Sequence, residues 1–211
     1  THTHGLMVES EMDGIARQWF THLGQRGPHF STSTYRQPND QPPTHLWYHD
    51  HALGLTRLNV YAGLLGNYFI RDRDDRLERG VAGASAVLPS RPYEIPLVIA
   101  DKGFFSDGEL DFPRTGINPA NPYWSVFLPT NTVTVNGKVW PNLNVERRQY
   151  RFRLLLAPTI NLYTFAFDNG MPFTVIGSDG GYLPQPAIST SLQLGVTERA
   201  DILVDFSTLP A

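Results

Sequence analysis

An all-β fold of antiparallel sandwich type is predicted by three observations. The 211-residue chain carries 18 Gly and 17 Pro, a supply of turns that favours short strands over long helices. Short β-branched and aromatic runs recur from "YEIPLVIAD" (93–101) to "ADILVDF" (200–206), most of them closed by Pro, Asn, Asp or Gly. Between "TVTV" and "KVW", Asn136-Gly137 is the pair that a two-residue hairpin turn demands.

In chain order, the opening "THTHG" reads as the middle of a strand, so the chain is expected to be a piece of a longer protein. Residues 1–72 form a first unit of polar turns and short apolar stretches. In "TRLNVYAGLLG" (56–66), Leu58, Ala62 and Leu65 recur near a 3.6 spacing and predict a short helix. "NYFIRD" then reads as a strand leaving that unit. The charge run "RDRDDRLERG" (71–80) and the small-residue stretch after it read as solvated, with the linker placed at 73–91. A second unit, 92–211, holds "YEIPLVIAD", the 132–140 hairpin, "RQYRFRLLLA", "LYTFAFDNG", "PFTVIGSDGG" and "ADILVDF".

Composition removes several functions. With 17 basic against 20 acidic residues, the chain has no basic surplus for nucleic acid or an acidic membrane. No apolar run approaches the roughly 20 residues of a spanning helix. Cysteine is absent, which excludes disulfides, thiolate-bound zinc and a blue-copper thiolate within this chain.

Four of the seven histidines fall in two His-x-His pairs, His2/His4 and His49/His51. On a strand, residues i and i+2 point to one face, roughly 6.5–7 Å apart. Each pair therefore aims two imidazoles into one space, and two such strands side by side would gather four. Neutral imidazoles suit copper, zinc, iron or nickel rather than magnesium or calcium. Asp13, Asp50 and backbone carbonyls are candidates for the second ring nitrogens. His22, His29 and His45 read as surface or satisfied core residues, and Trp47 and Tyr48 as a lid or core. A cupin-like alternative would use His2, His4 and Glu9 on a single iron or manganese, but leaves "WYHDH" without a role.

"HTHG" together with "LWYHDHALGLTRLNVYAGLLGNYFIRD" closely resembles the multicopper oxidases, within them the bacterial spore-coat laccase and bilirubin oxidase group. The likeness continues through "VNGKVWPNLNVERRQYRFRLL", "IGSDGGYLP" and "ERADILVDFS", and so covers nearly the whole chain. It implies cupredoxin-like Greek-key β-sandwiches, one partial and one nearly complete, with a third domain carrying the type 1 copper absent. It also implies a trinuclear copper cluster: His2 on the type 2 copper, His4 and His49 on one type 3 copper, and His51 on the other. Asp13 matches an acidic residue near that cluster, where a carboxylate relays protons.

The implied activity is laccase-like, coupling one-electron oxidation of a small organic reductant to reduction of dioxygen. Ferroxidase and bilirubin oxidase activities, and copper-free structural relatives, are the alternatives. The implied partners are dioxygen, the reductant and the remainder of the same polypeptide; the implied compartment is secreted, periplasmic or spore coat. Two departures stand out. The customary HLHGG is "HTHGL" here, and the LLNASN expected after "YRFR" is "LLLAPTIN" (154–161), which changes the hydrogen-bonding groups of that turn.

Overall fold

The computed structural model describes residues 1–71, 76–79, 87–112, 128 and 130–209. Three strands make the first sheet, in the order β1 (His2–His4), β2 (Thr44–His49), β3 (Leu65–Ile70), antiparallel throughout. Between β2 and β3 lies helix α1 (Thr56–Ala62), ended by Gly63 at φ 96°, a left-handed conformation that glycine adopts without a Cβ clash. The predicted helix is thus present, although Leu65 belongs to β3. Lys102 of the second sheet caps α1 by donating to the carbonyls of Val60 and Tyr61.

Further along run α2 (Arg76–Arg79), β4 (Glu94–Lys102), β5 (Thr132–Val135), β6 (Lys138–Val139), β7 (Gln149–Leu156), β8 (Tyr163–Ala166), β9 (Phe173–Ser178), β10 (Gly181–Ser189), β11 (Ser191–Leu194) and β12 (Arg199–Asp205). Seven of them form one sheet in the order β10-β9-β12-β7-β4-β5-β6, and β11 pairs with β8. Asn136 (φ 50°) and Gly137 (φ 77°) make the predicted hairpin turn between β5 and β6. One expectation is corrected: the sheet is not wholly antiparallel, because β4 runs parallel to β7, Glu94 opposite Arg151. The β5–β6 hairpin intervenes before the chain returns beside β4, and strand order of that kind is not written in alternation or turns. Neither β10 nor β11 is announced by the sequence pattern.

The central strand β7 is buried on both faces. Tyr150, Phe152, Leu154 and Leu156 point into an apolar core shared with Phe173, Ile202, Val204 and Phe206, against which Tyr163, Phe165 and Leu192 of the small sheet pack. Arg151, Arg153 and Leu155 point the other way, where β2 and β3 lie. The departure "LLLAPTIN" is accommodated there too. Buried Asp101 accepts from the Thr159 backbone N–H at 3.0 Å and from the Asn161 amide, so a β4 carboxylate supplies what that turn needs.

The solvated reading of the charge run is corrected at Glu78, whose side chain is only 6% exposed, while Arg71 is exposed and reaches inward to pair with it. Glu78 accepts from Arg151 (2.8 Å), Arg153 (2.5 Å) and Arg71 (2.9 Å). Glu94 accepts from Arg153 (2.6 Å) and Arg71 (2.7 Å), and Asp201 holds Arg151 by both carboxylate oxygens. Burial pushes Glu78 and Glu94 up, but the surrounding guanidiniums outweigh it and hold both below the ordinary carboxylate value. Residues 72–75 and 80–86 of the expected linker region lie outside the described residues. No helix among those described is long and apolar enough to cross a membrane.

His45 on β2 is 3% exposed, with Nε2 2.8 Å from the Asn67 side-chain oxygen and its ring 4.8 Å from Phe69. Its Nδ1 is buried without a partner among the described residues, so the satisfied core residue expected from sequence is only half satisfied there. Burial is the main cause that lowers its pKa from 6.5 to about 4, with Arg153 and Arg199 adding and the Asn67 bond opposing.

Two outcomes are expected. Arg151→Met leaves Glu78 and Asp201 with less countercharge in a dry interface, and should destabilise by about 3–5 kcal/mol, read as a lower urea midpoint. For His45, the unfolded chain binds the proton between pH 6.5 and about 4 while the folded chain does not. Its contribution is therefore full above pH 6.5 and lost as pH falls through that window, by on the order of 3 kcal/mol. The difference in stability between wild type and His45→Gln, measured across that window, should shrink toward acid.

Candidate metal centre

Strand pairing sets the site. β1 lies on β2 with His2 opposite His49, Thr3 opposite Tyr48 and His4 opposite Trp47. Alternation then places His2, His4, Trp47 and His49 on one face, with Thr3 and Tyr48 on the other. His51 follows two residues after β2 and turns back toward the same space. Ring centroids are 5.7 Å apart for His2–His4, 5.4 Å for His2–His49, 4.9 Å for His2–His51, 5.8 Å for His4–His49 and 5.6 Å for His49–His51. Candidate ligand atoms of His2, His4 and His49 all lie within 4.8 Å of one another. The structure thus brings together all four histidines singled out in the sequence.

The ring nitrogens fit a metal. His2 Nδ1 lies 2.8 Å from the Asp13 carbonyl oxygen and 3.0 Å from Asp13 Oδ1, so it carries the proton and leaves Nε2 as the lone-pair donor. His49 Nδ1 donates to the Asp50 carbonyl at 2.7 Å, leaving Nε2 buried without a partner among the described residues. His51 Nδ1 is likewise buried and unpartnered among them. A buried nitrogen with no hydrogen-bond partner costs free energy unless something else takes its lone pair. Electrostatics point the same way. Burial first, then Arg199 and the neighbouring imidazoles, lower His4 to about 4, and burial also lowers His49. Neutral imidazoles near neutral pH are the form that binds copper, zinc or iron.

Local sequence explains the frame. Asp13 follows the 3-10 turn Ser10–Met12, and Gly14 at φ 69° presses on the backbone of Thr1 so closely that a Cβ would stand 2.1 Å from its carbonyl oxygen. Only glycine lets that loop lie against β1 and deliver Asp13 to His2. Gly66, opposite Tyr48, is covered by the Tyr48 ring, which a Cβ would meet at 2.5 Å.

Other expectations divide. His22 and His29 are exposed. Glu9 is exposed on the loop before the 3-10 turn and is outside the ligand group, so the cupin-like set of His2, His4 and Glu9 is not assembled. Trp47 is a core residue, 2% exposed, and Tyr48 a partly exposed cover over Gly66. Sequence reasoning missed Arg199, whose Nε donates to the His45 carbonyl at 3.0 Å and whose charge acts on His4. Its only signal was membership of "ERAD", which says nothing of where the side chain goes.

Profiles of the family described as Multicopper oxidase match residues 1–75 and 112–210. The chain is 43% identical to a laccase of Bacillus subtilis over 98% of its own length and 40% of the relative. It is equally, 43%, identical to a multicopper oxidase of Oryza sativa, over 98% of the chain and 35% of the relative. The chain therefore spans about two fifths or less of the curated relatives it matches. Among solved structures, a laccase from Pediococcus acidilactici superposes with a TM-score of 0.78 at 30% identity, covering 99% of this chain and 41% of that one. The McoA multicopper oxidase of Aquifex aeolicus gives 0.75 at 29%, covering 99% and 42%. These neighbours have the cupredoxin fold that the family resemblance implies. With family matches over residues 1–75 and 112–210 and its paired histidines converging on one space, the chain belongs to the multicopper oxidase family.

Proposed function

We propose that this chain supplies half the histidine ligands of a trinuclear copper centre in a laccase-like oxidase, which takes single electrons from phenolic or similar reductants and reduces dioxygen to water. The observation that carries the reading is the convergence of four imidazoles, with ligand atoms of three within 4.8 Å and orphaned nitrogens on His49 and His51. In this reading His2 serves the type 2 copper, His4 and His49 share one type 3 copper, and His51 serves the other. The division into a first cupredoxin-like unit at 1–72, a linker at 73–91 and a second unit at 92–211 belongs to the same proposal. So does a third domain, supplying the remaining ligands and the type 1 copper, in the length that the relatives have beyond this chain.

Copper, when bound, supplies the one-electron redox chemistry and the binding of dioxygen. The protein residues supply geometry and protons. Asp13 and the Asp50 carbonyl hold the Nδ1 protons of His2 and His49, fixing which nitrogen faces the metal. Asp13 has a second function in this reading. Its carboxylate is 30% exposed and stands 3.0 Å from His2 Nδ1, between solvent and the site, where it passes the protons that oxygen reduction consumes.

The test uses the full-length enzyme. His49→Ala should lower copper content, abolish the magnetic coupling signature of the type 3 pair, and reduce oxygen consumption by more than about 100-fold. Substrate oxidation at the type 1 copper should persist for a single turnover. Full copper content and full turnover in that variant would remove His49 from the ligand set and the proposal with it.

A further inference from the structure

We propose that Trp47 is the positioning residue for the two histidines assigned above to one copper, His4 and His49. Its indole plane holds both rings at the orientation that metal binding needs. The inference rests on the copper reading of the site. A metal-bound imidazole is oriented when its second nitrogen is hydrogen-bonded. His2 has that restraint from Asp13 and His49 has it from the Asp50 carbonyl. His4 has no ring hydrogen bond among the described residues. What it has is Trp47, stacked at 5.2 Å between centroids and 25° between planes. The same indole lies 4.2 Å from the His49 ring at 32°. One flat side chain therefore faces two rings that are themselves 5.8 Å apart.

The slab is itself immobilised. Trp47 is 2% exposed and packs on Leu155 and Ala157 of the second sheet, with Val60, Leu65 and Val98 around it. Leu155 is fully buried near the C-terminal end of β7. Its orientation is thus passed from the floor of one sheet to the metal face of the other. The indole N–H is buried without an acceptor among the described residues, so no hydrogen bond there accounts for this side chain. An aromatic face at this place, rather than a polar group, is what the two imidazoles use.

The experiment compares Trp47→Phe with Trp47→Leu and Trp47→Met in the full-length enzyme, measuring thermal melts of the copper-free protein, copper affinity, and the absorption and paramagnetic signatures of the type 3 pair. Phe keeps an aromatic face and drops the unpartnered N–H, so affinity and spectra should stay near wild type. Leu and Met keep apolar volume without a face. At melting temperatures matching the Phe variant they should bind type 3 copper about 10-fold more weakly, with an altered spectrum. Aliphatic variants that load copper like wild type, or a Phe variant as impaired as Leu, would overturn the inference. If the aliphatic variants do not fold, nuclear magnetic resonance of the copper-free wild type decides. The carbon-bound ring protons of His4 should show the upfield shift of a stacked ring, and random-coil positions would overturn the stack. A His49→Ala variant with the copper content of wild type would instead sink the copper reading itself, a result separable from any of these.

Discussion

The register of β1 on β2 is the constraint on which the rest depends. A slip by one residue would send His2 and His4 to the opposite face and dissolve the group. Several contacts outside the ladder hold that register. Gln37 donates its side-chain amide to the Thr3 hydroxyl at 2.7 Å, on the face away from the imidazoles. Tyr48 lies across Gly66, which fixes β2 against β3. Arg199 grips the His45 carbonyl and the loop carbonyls of Thr197 and Asp179, tying β2 to β12.

The two sheets meet through opposite chemistries at neighbouring places. Trp47, Leu155 and Ala157 form an apolar contact, and beside it three arginines meet three carboxylates in a cluster buried except at Arg71. A buried ion cluster gains less stability than apolar packing of the same volume, but each of its members is punished for standing alone. Arg151 and Arg153 accordingly hold Arg71, Glu78 and Glu94 in one arrangement beside β7 and β4, in which all three find partners. That specificity places the histidine-bearing sheet over Leu155. The fold thus converts a charged seam on one side into precise seating on the other.

Much of the local structure was legible from sequence because it rests on near neighbours. Asn136-Gly137 makes its turn through left-handed backbone that Asn and Gly tolerate, and α1 stops at Gly63 for the same reason. The burial of Glu78 within the charge run is not legible because charge density predicts solvent only when no countercharge is buried nearby, and Arg151 and Arg153 are about 75 residues away. In "RQYRFRLLLA" the alternation of Arg with aromatic residues looks like a half-exposed strand. It is a strand buried on both faces, with its polar face turned to another sheet.

The sequence by itself determined that His2 and His4 present their imidazoles to a common side, since the pleat of β1 has a period of two and needs no partner to enforce it, whereas His51 lies past the end of β2. It also determined, by its family motifs, the class of fold in which those pairs reside. Only the tertiary structure decided that the two pairs share one face, that Asp13 reaches His2 over Gly14, and that an indole resting on Leu155 lies against His4 and His49. Those relations are distances between residues far apart along the chain. They are set by strand order, register and the seating of one sheet on another, none of which local propensity encodes.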